Sequence, residues 1–308
     1  MLDKNNYDLL IIGAGPAGLT AGIYGARAGL KTLVLEKGLP GGLAATTDYI
    51  ENYPGFPDGI KGIELTEKMK NQAKHFGVEI IGVEVKSISK TGKNVIVQTE
   101  NKKYEVPAVI ITTGTTPKRL NIPGEDTLRG RGISYCATCD GPLFKGRDIA
   151  VIGCGNSGLQ EGKFLLNFVK SITFVEFLPY MTADRILQEK LRDEKAVNFL
   201  LNHIAISING KERVESITVK NRESNKKKTI EVSGIFIYVG LNPNSGFLKN
   251  FIELDDYGFV ITNKKLETSV HGVFAAGDIR AETIRQVVTA CGDGAVAAIN
   301  AYHYIKHE

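Results

Sequence analysis

Cysteine is scarce in this sequence, with four residues among 308. This small number excludes a disulfide framework as the source of stability. Two of the cysteines share one Cys-x-x-Cys pattern, which in a reducing compartment favours catalysis or metal binding. Long apolar runs are also missing, since no stretch reaches the ~18 residues of a membrane span. Residues 1–7 are polar and unlike a signal peptide, so we expect a cytoplasmic protein without a membrane partner.

Charge of one sign is not concentrated either, because the formal net charge of +4 is spread along the chain. The one clear run, Lys226–Lys228, lies between two strand-like segments and is interpreted as a solvated hairpin tip, with a docking patch for an acidic protein as the alternative. Nucleic-acid binding has no other support. The five histidines are scattered and none neighbours the cysteines, so no metal site is expected.

Glycine, in contrast, is abundant, with 34 residues. The apolar run 7–12 predicts a buried strand, which is followed by Gly13-x-Gly15-x-x-Gly18 and a helix of small residues to about Ala28. A second strand, 31–35, ends at Glu36. Such a turn brings the backbone close to a pyrophosphate at a helix N-terminus, and the acidic residue binds a ribose hydroxyl. This segment therefore predicts a dinucleotide site.

The same order of elements returns in the middle of the chain. A strand over 148–152 precedes the glycine turn 153–158, a helix to about Val169 and a strand over 171–175. Glu176 stands eighteen residues after Gly158, the spacing that separates Glu36 from Gly18. The chain is therefore predicted to carry two dinucleotide-binding units.

Two further segments mark where the chain passes between these units. The apolar strands 109–114 and 235–240 each end in glycine and are followed by proline three residues later, a combination typical of boundaries. We predict an α/β protein with two Rossmann-like, three-layer (ββα) domains. An outer, discontinuous domain spans 1–117 and 245–308, and a second domain, 118–244, is inserted into it.

The C-terminal part adds a second ligand-facing segment. The strand-like 272–278 ends in Asp278, which can accept hydrogen bonds from ligand hydroxyls. Residues 284–287 are predicted to open a helix through Ala301, whose N-terminus would stabilise the negative charge of a reduced flavin near N1.

The Cys-x-x-Cys pattern is Cys136-Ala-Thr-Cys139, followed by Asp140. This spacing lets the two sulfurs close a small disulfide ring, and the carboxyl group could act as acid and base during exchange. Zinc is the alternative, but it needs four ligands, and Cys154 and Cys291 are isolated in the sequence. His303 and His307 have an acceptable spacing but lie far away. Redox function is therefore favoured over metal.

These segments together resemble the low-molecular-weight thioredoxin reductase family over essentially the whole chain. The resemblance implies that Cys139 faces the flavin, that Cys136 attacks the disulfide of the partner and that Asp140 donates the proton. It also implies a homodimer. The pattern Glu51–Gly55 fits the family too, whereas Leu43 stands where the family usually has glutamine. The expected FAD-binding residues are Gly13, Gly15, Pro16, Ala17, Gly18, Glu36, Lys37, Gly41, Gly42, Leu43, Asn52, Val85, Thr113, Gly114, Gly277, Asp278, Arg285, Gln286 and Val287.

The electron donor is less clearly indicated. The family normally holds the 2′-phosphate of NADPH with His-Arg-Arg-x-x-x-Arg, and this chain has Glu176 to Thr182 at those positions, without arginine. A carboxylate there binds a ribose 2′-OH and repels a 2′-phosphate, which favours NADH over NADPH unless a residue such as Arg185 compensates. Ferredoxin or another protein donor stays open. The expected nicotinamide-site residues are Gly153, Gly155, Asn156, Ser157, Gly158 and Glu176.

The expected activity is transfer of electrons from a donor through FAD and the Cys136–Cys139 disulfide to thioredoxin or a similar protein. The glycine–proline crossings at 114–117 and 240–243 predict hinges that rotate the inserted domain, as the family does. A flavin dithiol oxidase is a second enzyme hypothesis. A non-enzymatic binding module that fails to hold FAD is a third, and a ferredoxin–NADP reductase is disfavoured because that group lacks the cysteine pair.

Overall fold

The computed structural model describes residues 2–3, 7–47, 50 and 52–307, and it describes only the backbone of Leu2, Asp3, Thr138 and Cys139. Glu51 and most of the polar N-terminal segment, on which two expectations rest, lie outside these residues. None of the helices in the described part combines the length and the hydropathy that a membrane crossing requires.

The strands in chain order are β1 (Leu2–Asp3), β2 (Leu9–Ile12), β3 (Thr32–Glu36), β4 (Glu79–Gly82), β5 (Val85–Thr91), β6 (Asn94–Thr99), β7 (Lys103–Val106), β8 (Ala108–Ile111), β9 (Thr115–Pro117), β10 (Ile133–Ser134), β11 (Asp148–Ile152), β12 (Ser171–Val175), β13 (Val197–Leu200), β14 (His203–Asn209), β15 (Ser216–Asn221), β16 (Lys227–Glu231), β17 (Gly234–Ile237), β18 (Leu241–Pro243) and β19 (Val273–Ala275). The α-helices are α1 (Pro16–Arg27), α2 (Gly42–Ala45), α3 (Gly62–His75), α4 (Ala137–Asp140), α5 (Asn156–Leu165), α6 (Arg185–Arg192) and α7 (Val287–His307). Short 3₁₀ helices span Gly141–Phe144, Gly246–Leu248 and Gly277–Ile279.

The chain divides into two compact units, one of residues 1–116 and 242–308 and the other of residues 117–241. The sequence predicts these boundaries after residues 117 and 244. The crossings between the units are β9 and β18, which pair as a two-stranded sheet.

The first unit is built on a parallel sheet with the strand order β19-β8-β2-β3-β4. Its central strands are apolar without alternation because they are covered on both faces. Leu9 and Ile11 pack with the buried residues of α1, α3 and α7. Leu10 and Ile12 pack on the opposite side with Val97 and its neighbours in the antiparallel strands β5, β6 and β7. Each such fully buried side chain contributes about 1.5–3 kcal/mol of transfer free energy.

The second unit repeats this three-layer plan. Its parallel sheet has the order β10-β17-β11-β12-β13. Ile149 and Val151 face a layer that contains Leu159 of α5. Ala150 and Ile152 face the antiparallel sheet β14-β15-β16. This arrangement confirms the predicted α/β class with two Rossmann-like units, and β15 and β16 form the hairpin predicted around Lys226–Lys228.

The start of the C-terminal helix differs from the prediction. The helix α7 begins at Val287, and residues 284–286 precede it without helical structure. The hydroxyl group of Thr289 lies 2.5 Å from the carbonyl oxygen of Ile284 and accepts a hydrogen bond from the amide of Gln286 at 3.2 Å. Such local side-chain bonds compete with helix formation and hold the segment outside the helix.

Candidate functional site

The three glycines of the first turn have different surroundings. A Cβ atom on Gly13, whose φ is +109°, would lie 2.4 Å from the carbonyl oxygen of Thr112, and one on Gly18 would lie 1.9 Å from that of Gly13. On Gly15 the nearest atom would be the Cα of Gly42, at 4.0 Å. The outer glycines therefore allow the turn and the close packing of helix on strand, while Gly15 leaves one side of the backbone open to a ligand.

This open side lies where α1 begins. Pro16 is the first helical residue, a position where the missing amide hydrogen costs nothing, and Ala17 follows inside the first turn. The amide of Gly41 donates to the carbonyl oxygen of Ala14 at 2.8 Å, which places the Gly41–Gly42 pair against the turn. Leu43 lies in the short helix α2 and is 40% exposed. The fingerprint residues and the paired glycines thus converge at the N-terminus of α1.

Glu36 ends β3 and is held by two backbone amides. Its carboxylate accepts hydrogen bonds from Ala14 at 2.7 Å and from Gly38 at 2.8 Å. The group is thereby aimed along the glycine turn, and its remaining lone pairs are available to a ribose hydroxyl. A pocket of about 460 Å³, counted to its open mouth, adjoins it. The walls of the pocket include Gly13, Leu35, Lys37, Val85, Thr113 and Phe247.

Thr113 and Gly114 follow β8 at the edge of this pocket. The hydroxyl of Thr113 donates to the carbonyl oxygen of Asn244 at 3.0 Å, and the amide of Asn244 donates to the carbonyl oxygen of Gly114 at 3.0 Å. These bonds fix the end of β8 to the chain that returns from the second unit.

Asn52 and Gln286 are brought together from distant parts of the sequence. The amide nitrogen Nδ2 of Asn52 donates to Oε1 of Gln286 at 2.9 Å. Gln286 immediately precedes Val287, the first residue of α7. The loop around residue 52 is therefore held at the N-terminus of the long helix, where the partial positive charge favours an anion.

Asp278 is a titratable group of this region with a displaced pKa. Burial raises the pKa of Asp278 to about 6, the nearby Arg285 opposes the rise and Asp293 adds to it. The preceding Gly277 packs closely on α1, since a Cβ atom there would lie 2.9 Å from that of Ala17. The guanidinium of Arg285 lies 4.4 Å from the ring centre of Phe259. Asp278 is therefore positioned beside the glycine turn by backbone packing.

The glycine turn of the second unit has the same design. A Cβ atom on Gly153, at φ +106°, would lie 2.3 Å from the carbonyl oxygen of Tyr238, and one on Gly158 would lie 2.1 Å from that of Gly153. On Gly155 the nearest atom would be Oγ1 of Thr182, at 3.5 Å. Asn156 and Ser157 then open α5, so this turn also leaves its middle glycine for a ligand.

Glu176 is held by two backbone amides, as Glu36 is. Its carboxylate accepts hydrogen bonds from the amides of Cys154 at 2.6 Å and Leu178 at 3.0 Å. The residue is buried, with 7% of its surface exposed. Burial and the nearby Glu176 raise the pKa of Cys154 to about 12, so this free thiol stays protonated at neutral pH and is a poor nucleophile.

Arg222 is a residue near Glu176 that the sequence did not single out. It follows β15, and its guanidinium carbon Cζ lies 3.6 Å from the ring centre of Phe177. Its Nη1 atom donates to the carbonyl oxygen of Phe177 at 3.1 Å. Arg185, named as a compensating cation, instead pairs with Glu189 on its own helix at 2.7 Å. No local pattern could indicate Arg222, because its partner is 45 residues away.

Cys136 is disulfide-bonded, and Cys154 and Cys291 are free. The side chain of Cys139 lies outside the described residues. The amide of Cys136 donates to Oγ of Ser134 at 3.0 Å, and that hydroxyl donates to the carbonyl oxygen of Cys136 at 3.0 Å. The short helix α4 follows and ends at Asp140, whose amide donates to the carbonyl oxygen of Cys136 at 3.2 Å.

Tyr238 is the second residue that the sequence analysis missed. Its phenolic oxygen accepts the amide hydrogen of Ala137 at 2.8 Å, across 101 residues of sequence. Burial, reinforced by the nearby Glu161, raises the pKa of Tyr238 well above 10, so the phenol stays neutral. Tyr238 therefore ties the first residue of α4 to the strand that supports the second glycine turn.

The predicted residues form two groups. Those expected at FAD surround the first turn and Glu36 in the first unit, and the cysteine pair lies with the second turn and Glu176 in the second unit. Among the described residues no group of three or more His, Cys, Asp or Glu side chains is arranged to hold a metal ion.

Comparison with known proteins agrees with this arrangement. Residues 7–294 match the family model of pyridine nucleotide-disulphide oxidoreductases. The chain is 42% identical over 309 aligned positions to thioredoxin reductase of Bacillus subtilis, covering 99% of this chain and 97% of that protein. The solved thioredoxin reductases of Lactococcus lactis (39% identity, TM-score 0.88, 98% of this chain and 100% of that chain) and T. acidophilum (38% identity, TM-score 0.84, 96% and 98%) share its fold. The chain belongs to the pyridine nucleotide-disulphide oxidoreductase family.

Proposed function

We propose that this chain is a flavin-dependent thioredoxin reductase that passes electrons from NADH through FAD and the Cys136–Cys139 disulfide to thioredoxin. The observation that carries the proposal is a disulfide-bonded Cys136 in a chain that frames two dinucleotide sites, at Glu36 and Glu176. The thioredoxin reductases to which the chain is similar support thioredoxin as the protein substrate.

The residues of the first unit fit FAD. The open side of Gly15 suits a pyrophosphate, and the pocket beside Glu36 offers an open cleft next to a ribose-binding carboxylate. The joined Asn52 and Gln286 and the start of α7 suit the polar edge of a flavin ring. When bound there, FAD supplies the relay between a hydride donor and a disulfide.

The chemistry of the protein itself lies in the cysteine pair. The Cys136–Cys139 bond accepts two electrons and two protons and becomes a dithiol. The thiolate of Cys136 attacks the disulfide of the partner, which forms a mixed disulfide and releases one partner thiolate to be protonated. The thiolate of Cys139 then attacks Cys136, which restores the enzyme disulfide and releases the second partner thiol. Asp140 is the proton donor and acceptor for these steps.

NADH is favoured as the donor by the position of Glu176. Its carboxylate is held by two amides on the glycine turn, as a ribose-binding carboxylate is. A 2′-phosphate at this place would meet a buried negative charge, which is costly without a compensating cation. The nicotinamide nucleotide is therefore expected to be held by Gly153, Gly155, Gly158 and Glu176 without a 2′-phosphate contact.

The cysteines must meet both the flavin and a bulky protein partner, so we expect the second unit to rotate about the crossings β9 and β18. Gly114 and Gly240 flank these strands with positive φ values, +59° and +108°. Cross-linking the two units should stop turnover and leave one half-reaction intact. Full activity in both half-reactions after cross-linking would contradict the hinge.

The proposal is tested by a turnover assay with the purified yellow holoprotein, NADH and thioredoxin, in which thioredoxin thiols are measured. We expect NADH-dependent reduction of thioredoxin. A colourless protein would instead support a binding module, and oxygen uptake with small dithiols but no thioredoxin reduction would support a dithiol oxidase. Light scattering of the same sample checks the expected homodimer, and fractionation of cells that express a tagged chain checks the cytoplasmic location.

A further inference from the structure

Arg222 lies on the hairpin between β15 and β16 and is held against the loop that follows Glu176. Its guanidinium lies 3.6 Å from the ring centre of Phe177, and its Nη1 atom binds the carbonyl oxygen of Phe177. Its backbone amide donates to the carbonyl oxygen of Asn202 at 2.9 Å, and the amide of Asn202 donates to that of Leu178 at 2.8 Å. The hairpin and the loop are thus tied together by side-chain and backbone bonds.

This position is where the adenine of a dinucleotide would lie. The carboxylate of Glu176 is placed to bind the 2′-OH of a ribose. The base is attached to the neighbouring carbon of the same ribose, so it extends over the residue that follows Glu176. That residue is Phe177, which is 52% exposed and whose ring is stacked against the guanidinium of Arg222.

A stacked guanidinium presents a flat, positively charged surface that pairs well with an aromatic ring. Arg222 is exposed, so the side of its guanidinium away from Phe177 is accessible. A purine stacked on that side would complete a layered arrangement of phenyl ring, guanidinium and base. Base stacking of this kind is a substantial source of affinity for nucleotides.

We propose that Arg222, stacked on Phe177, is the adenine-binding platform of the nicotinamide nucleotide site, an inference that rests on the proposed NADH site. A role as a 2′-phosphate ligand is less consistent with the surroundings, because Glu176 directly precedes Phe177, on which Arg222 is stacked, and would repel the phosphate. The platform therefore contributes affinity for the adenosine end, while Glu176 excludes the phosphorylated ribose.

The test is calorimetric titration of the oxidised holoprotein with ADP-ribose, the part of NADH without nicotinamide, and with 2′-phospho-ADP-ribose. We expect Arg222→Ala to weaken ADP-ribose binding about tenfold. Arg222→Lys should weaken it nearly as much, because lysine keeps the charge but loses the plane. Lys228→Ala is the matched control, because it removes an exposed positive charge from the same hairpin and should change binding less than about twofold.

Unchanged FAD content and circular dichroism establish that each variant is folded. ADP-ribose binding by Arg222→Ala equal to that of Lys228→Ala would overturn the platform and leave the NADH site standing. A loss confined to 2′-phospho-ADP-ribose would also overturn it, because Arg222 would then read the phosphate. If the unaltered protein binds neither probe, the platform and the nicotinamide site are both wrong.

Discussion

Each of the two units of this chain holds a glutamate carboxylate against a glycine turn, an arrangement that we call the frame and propose as a ribose site. In the first unit, the carboxylate of Glu36 accepts hydrogen bonds from the amides of Ala14, which follows the first glycine of the turn, and Gly38. In the second unit, Glu176 accepts them from the corresponding amides of Cys154 and Leu178. In both, the next amide across the sheet, Val83 or His203, donates to the backbone carbonyl of the glutamate at 2.8 Å. The frame is therefore built in both units from backbone amides and a single carboxylate.

What differs is the set of residues added to this frame. The first unit adds the paired glycines, the Asn52–Gln286 contact and Asp278. The second adds α4 with Cys136, and it places Phe177 and Arg222 where the first has the exposed Lys37. We therefore propose that the frame provides for dinucleotide binding, and that the residues around it select the nucleotide and the path of its electrons.

The largest expected effect is the loss of thioredoxin reduction when the cysteine pair is altered and both frames are left intact. Cys136→Ser removes the sulfur that attacks the partner, so thioredoxin reduction should fall to the uncatalysed background. Reduction of the bound flavin by NADH should be unaffected, because both frames are intact. The measurement is the thioredoxin assay beside anaerobic bleaching of the flavin, with the unaltered protein as the control. Retained thioredoxin reduction in Cys136→Ser would contradict the mechanism.

The middle glycines test the two frames against each other. Gly15→Ala adds a methyl group on the open side of the first turn and should weaken FAD binding at least ~10-fold, which corresponds to about 1.4 kcal/mol. Gly155→Ala should keep the yellow colour and lose a similar factor in NADH affinity. The measurements are FAD content after dialysis and NADH titration. Loss of FAD from both variants, or from neither, would break the assignment of one cofactor to each unit.

Glu176→Gln tests what the second carboxylate excludes. The ribose hydrogen bond to a charged acceptor is worth about 1.5–3 kcal/mol, so the preference for NADH over NADPH should fall about 10- to 100-fold. The measurement is kcat/KM with each nucleotide. The matched variant Glu36→Gln should leave this ratio unchanged and weaken FAD instead. An unaltered ratio in Glu176→Gln would place the discrimination elsewhere.

The smallest effect concerns Asp278 in the protein freed of FAD. Its pKa in the folded state, about 6, exceeds its ordinary value of 3.8. The folded state therefore binds the extra proton, and this contribution to stability is full below pH 3.8 and lost as the pH rises through 6. Asp278→Asn should remove that component, seen as a flatter dependence of the urea midpoint between pH 4 and 6. An identical slope in the variant and the parent would show that Asp278 titrates normally.

Much of this organisation could be predicted from the sequence because it is local. The strand, the glycine turn and the glutamate eighteen residues later fall in one stretch of chain, so both frames were predicted with their residues. Arg222 and Tyr238 could not be, since each reaches its partner from 45 or 101 residues away through the pairing of distant strands. The start of α7 at Val287 was also missed, because the bonds of Thr289 outweigh helix propensity there.

The most direct test of the account is anaerobic stopped-flow reduction of the bound flavin by NADH, NADPH and reduced ferredoxin, each in excess over the holoprotein. The account predicts rapid bleaching by NADH, bleaching by NADPH that is slower or needs far higher concentrations, and no preference for ferredoxin. Bleaching by reduced ferredoxin while both nicotinamide nucleotides leave the flavin oxidised would contradict the claim that the frame around Glu176 is a working NADH site.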